Sequence, residues 1–187
     1  MSDENYPRIA GPAPHGPLYG LIRKYLPDLI FGANDGIITT LAVMSGVTGA
    51  ALSSTVVLIL GFANLVADGF SMGASNVLSR RSDAQNDAIP TFAAASSHGL
   101  ATFLGFVLAG LVPLLAYLLP WFEGTRFAVA TMLALATLFA VGAGRAFFTE
   151  RGWIVSGLEM LLIGALAAGV AYGIGALGAA LIDQGLS

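Results

Sequence analysis

The chain has 187 residues, of which 56% are hydrophobic and only 10% charged, with a mean hydropathy of +0.80. Soluble domains carry about 25% charged residues, so the composition excludes a water-soluble globule and fits one membrane domain. A net charge of −3 without a basic block excludes nucleic acid as a partner, and the lack of cysteine excludes disulfides and thiolate metal ligands.

Residues 1–27 read as a polar, Pro/Gly-rich tail ("PRIAGPAPHGP") without the apolar core of a secretory signal. Leu18 to Lys24 form a candidate short surface helix within it. Residues 28–187 read as a single transmembrane domain. A spanning helix needs roughly 20 mostly apolar residues, and five windows qualify: 28–50, 54–78, 99–119, 126–148 and 153–182. The last is long enough to tilt or to project beyond the bilayer. The runs do not alternate and are rich in Gly and Ala, which excludes a β-barrel. The expected fold class is therefore all-α, with five transmembrane helices.

Lys and Arg mark the cytoplasmic side. Arg8, Arg23, Lys24, Arg80, Arg81, Arg145 and Arg151 fall on one side, and only Arg126 on the other. This predicts a cytoplasmic N-terminus and, after five spans, a periplasmic or lumenal C-terminus. An integral, multi-pass protein of the bacterial inner membrane is the expected location.

Charges at mid-bilayer are costly, so the ionisable residues inside the spans are the functional clue. They are Asp35 in span one, Asp68 in span two and Glu159 in span five, with Asp28 and Arg145 nearer the boundary. At 1.5 Å per residue, Asp35 lies about 10 Å deep, Met72 about 9 Å and Asp68 about 15 Å. Asn64, Asp68 and Met72 recur every four residues and share one helix face. Asp28 and Asp35 lie two turns apart on one face of span one. The result is a ladder of oxygen donors with one sulfur. Glycine pairs flank it, Gly32 with Gly36 and Gly69 with Gly73, at a spacing that lets helices approach closely. Span one carries Asn34, Asp35, Thr39 and Thr40 together with its two glycines, too polar a set to face lipid, which predicts burial of these residues at a twofold axis between two copies.

Carboxylate and amide oxygens suit divalent cations, and a thioether shifts the preference from Mg²⁺ or Ca²⁺ towards Fe²⁺, Mn²⁺ or Co²⁺. No catalytic constellation or phosphate loop is present, so an enzyme is not expected. His15 lies in the tail, and His98 reads as an interfacial residue at the mouth of span three.

The segments "DLIFGANDGIITTLAVMSGVTGA" and "LGFANLVADGFSMGASN" resemble the vacuolar iron transporter family, and the likeness runs from about residue 28 to 180. The resemblance implies five spans, a homodimer, and a metal path lined by spans one and two at the dimer interface. It implies export of Fe²⁺, often Mn²⁺, from the cytoplasm in exchange for protons, with no permanently bound cofactor. The family's span-one aspartate matches Asp35 and its span-two methionine matches Met72. The family's glutamate two turns before that methionine is here Asn64, and a carboxylate appears one turn later as Asp68. Well-known members insert a metal-collecting helical region between spans two and three. Here only "SRRSDAQNDAIPTFAAASSH" stands there, with Asp83 and Asp87 as its acidic residues.

The combined reading is a dimeric exporter of a divalent transition metal. Asp35 and Met72 hold the ion, Asn64 adds an amide oxygen, Asp68 is the second carboxylate and proton carrier, Glu159 is a supporting carboxylate, and Asp28 stands at the cytoplasmic entrance. A passive divalent-cation channel and a non-transporting membrane scaffold are the alternatives.

Overall fold

The computed structural model describes residues 17–82, 89–147 and 152–185. The tail up to residue 16, Asp83, Asp87 and Arg151 lie outside the described residues. Five long helices account for the fold: α1 (Pro17–Gly49), α2 (Ser54–Ser82), α3 (Phe92–Leu118), α4 (Arg126–Gly144) and α5 (Trp153–Gly185). All five are long and apolar enough to cross a membrane, and no strand occurs among the described residues. The chain is therefore a multi-pass membrane protein of all-α class. Two starts differ from expectation. Helix α1 begins at Pro17, so Leu18 to Lys24 join the first span and make no separate surface helix. Helix α3 begins at Phe92, capped by Thr91, whose hydroxyl oxygen accepts the Ala94 N–H at 3.3 Å. The apolar window at 99 missed these first turns because "FAAASSH" is small and mildly polar.

The core is built around α1. Its Ile37, Leu41 and Met44 are fully buried against Phe106 and Leu114 of α3 and Ala130, Ala134 and Leu138 of α4. Inside a bilayer, lipid is as apolar as leucine, so helices associate through close packing and interhelical hydrogen bonds. The glycines show how. A Cβ on Gly32 would overlap the Thr102 carbonyl, and one on Gly36 the Phe106 carbonyl. The span-one glycine pair thus packs α1 onto α3 of the same chain. Thr40 is likewise buried, at 2% exposure, against Gly110 of α3. Further along, Gly46 and Gly49 meet Gly175 and Tyr172 of α5 backbone to backbone.

Helix α2 lies at the edge. Its buried stripe, Val57, Gly61, Leu65, Gly69 and Gly73, repeats every four residues and faces α3. The turn from α1 to α2 is closed by the Leu52 N–H donating to the Val47 carbonyl at 3.0 Å, with Ala51 in the left-handed region at φ 55°.

Candidate metal-transport site

Asp35 projects from α1 on the stripe that also carries Pro27 and Phe31, and all three are exposed on the surface of the chain. Asp68 is exposed on α2. Asn64 and Met72 flank it one turn to either side, both half-buried. Met72 packs part of its side chain against the hydrophobic core. The expected ladder on α2 is thus present on one face, beside the stripe that packs on α3. Among the described residues, neither Asp35 nor Asp68 takes part in a hydrogen bond or an ion pair.

Asp35 also opens onto a cleft of about 430 Å³ between α1 and the α4–α5 corner, shared with Asn34, Arg145 and Met160. The Asn34 side-chain oxygen is buried there without a hydrogen-bond partner. Arg145 donates to the Met160 sulfur at 3.2 Å. Glu159, half-buried on the same turn of α5, does not line this cleft. The structure therefore leaves Asp35 and Asp68 exposed on the first two helices and Glu159 outside the cleft that Asp35 lines. Among the described residues, no three His, Asp or Glu side chains converge on a common point.

Asp28 has a different setting. It is 5% exposed, although it lies two turns from Asp35 on the same face. Its Oδ1 accepts from Asn76 Nδ2 and from Arg80 Nη2, each at 2.9 Å, and its Oδ2 pairs with His98 Nδ1 at 2.5 Å. Asn76 Nδ2 also donates to Thr102 Oγ1 at 2.8 Å, and Arg80 Nε donates to Asn76 Oδ1 at 2.9 Å. The Tyr25 ring covers His98, with centroids 5.0 Å apart. This network ties α1, α2 and α3 together at one end of the bundle. His98, read from sequence as interfacial, is 13% exposed and belongs to this network. Asn76 and Arg80, one turn apart on α2, are the residues that sequence reasoning passed over. Their i, i+4 spacing was legible, but their common partner was not.

A sequence model of the VIT family matches residues 26–95 and 84–176. The chain belongs to the VIT family. Its two matched segments meet in the α2–α3 connection, where the sequence lacks the expected insert. A vacuolar iron transporter of Plasmodium berghei (strain Anka) is 27% identical over 223 aligned positions, covering 82% of each chain. That alignment is longer than this whole chain, so the relative carries residues without counterparts here. Vacuolar iron transporter 1 of Eucalyptus grandis is 26% identical over 78% of this chain and 83% of its own length. Vacuolar iron transporter homolog 1 of Oryza sativa subsp. japonica is 29% identical over 81% of this chain and 72% of its own. These VIT relatives are named as transporters, in line with the resemblance drawn from the sequence.

Proposed function

We propose that this VIT-family chain exports a divalent transition metal, Fe²⁺ or Mn²⁺, from the cytoplasm in exchange for protons, as a homodimer. The observation that carries this reading is the exposure of Asp35 and Asp68 on neighbouring membrane-spanning helices, without hydrogen-bond or ion-pair partners among the described residues. Two bare carboxylates facing hydrocarbon would cost at least a few kcal/mol each. A second copy packed on this face encloses them and doubles the donor set. Asp35 and Met72 from both copies then hold the ion, with Asn64 as an amide donor. Asp68, beside Asp35, takes up protons when the metal leaves and gives them up when it binds, because a divalent cation and protons compete for the same oxygens. Glu159 is a supporting carboxylate away from the path. Asp28 anchors the cytoplasmic entrance through its three donors. The Lys and Arg distribution supports a cytoplasmic N-terminus, and a bacterial inner membrane is the proposed setting.

The test is uptake into proteoliposomes, comparing Fe²⁺, Mn²⁺, Co²⁺ and Zn²⁺ with and without a pH gradient while internal pH is followed. Antiport predicts metal entry coupled to proton exit from the lumen. Metal entry without proton movement would indicate a passive channel. Metal handling by Asp35→Asn equal to wild type would indicate a scaffold.

A further inference from the structure

On the side of α2 opposite Asp68, α2 and α3 enclose an apolar cleft of about 510 Å³. Residues 68 and 70 are separated by about 200° around an α-helix, so a copy packed over the carboxylates leaves this cleft open to the bilayer. Its floor is the contact between Gly73 and Gly99. A Cβ on Gly73 would come within 2.8 Å of the Gly99 carbonyl oxygen, and one on Gly99 within 2.5 Å of that of Gly73. Its walls are Phe70, Leu78, Phe92 and Leu100, each more than half exposed. The Arg81 guanidinium sits over the Phe92 ring, 5.8 Å from its centroid, at one end of the cleft. Neighbouring Arg80 is turned away to Asp28, and among the described residues no carboxylate pairs with Arg81.

We infer that this cleft is a binding site for one anionic phospholipid of the leaflet at the Arg81 end, cytoplasmic in the proposed topology. Phe70 and Arg81 are about 16 Å apart along the helix, close to the roughly 15 Å depth of one hydrocarbon leaflet. An acyl chain lies on the Gly73–Gly99 floor between the aromatic walls, and the headgroup phosphate meets Arg81. The cleft volume is in the range of small-molecule sites. The inference rests on membrane embedding and on the proposed orientation, and is independent of metal transport.

The test is lipid retention by the purified full chain, read by native mass spectrometry without metal. Phosphatidylglycerol and phosphatidylcholine of identical acyl chains compete for the protein. One arginine near an anionic headgroup should favour phosphatidylglycerol by about fivefold. Arg81→Gln should abolish that preference while keeping chain-dependent retention. Ala74→Phe fills the cleft from α2 and should reduce retention of both lipids. Equal retention of the two lipids by wild type, or a preference that survives Arg81→Gln, overturns the proposal.

Discussion

Replacing Asp28 by alanine removes the acceptor of Asn76, Arg80 and His98 in one step. Stripping one partner from a fully enclosed charge pair costs roughly 3–5 kcal/mol. Here Arg80 is 40% exposed and can turn to water, so its share falls towards the ~0–1 kcal/mol of a surface pair. Asn76 keeps Thr102 as acceptor. The main loss falls on His98, 13% exposed, whose ring nitrogen would face a void. A buried group left without a partner costs about 1–3 kcal/mol. Together these give a loss of about 1–4 kcal/mol. At about 2–4 °C per kcal/mol for a chain of this size, the apparent melting temperature should fall by roughly 2–16 °C. Asp28→Asn keeps the shape and one acceptor oxygen, and should lose about half as much. Asp35→Asn removes a charge that pairs with none of the described residues and should melt at or above the wild-type temperature. The assay is tryptophan-fluorescence melting of all three variants in one mild detergent, followed by proteoliposome transport. If Asp28→Ala melts with wild type, the anchoring argument is refuted. If that stable variant has also lost transport, Asp28 is a metal ligand.

Met72→Leu nearly conserves volume but removes the sulfur, so melting should change by less than about 1.5 kcal/mol while Fe²⁺ uptake drops; unchanged uptake would make Met72 packing alone. Asp68→Asn should keep the fold and reduce proton release on metal binding, and wild-type metal affinity should weaken as pH falls because protons compete for the carboxylates; full proton release by the variant would show that Asp68 is not the carrier. Gly36→Ala should destabilise α1 against α3 by about 1–3 kcal/mol, since the new methyl meets the Phe106 backbone and not a flexible side chain. Phe31→Cys, on the exposed α1 stripe of a chain without native cysteine, should crosslink between two copies in bilayers; a persistent monomer without crosslinks would overturn the dimeric path.

Much of this protein was legible before any coordinates. Span number, the ends of α2 and α5 to within a few residues, and the Asn64–Asp68–Met72 face follow from hydropathy and helical period, which are properties of a segment by itself. The glycine pair of span one was legible as a site of close approach, but not its partner. It packs on the Thr102 to Phe106 backbone of α3, where a second copy had been expected to sit.

The carboxylates draw the sharpest line. Asp28 and Asp35 look alike along the chain, one helical face and two turns apart. Sequence alone could establish only that each is costly in a bilayer and needs an explanation. The tertiary structure decided that Asp28 is satisfied, by partners 48, 52 and 70 residues away, while Asp35 stands exposed. The physical reason is range. The cost of burying a charge is set by residue type and depth, but its compensation depends on which distant side chains the helix packing brings within 3 Å.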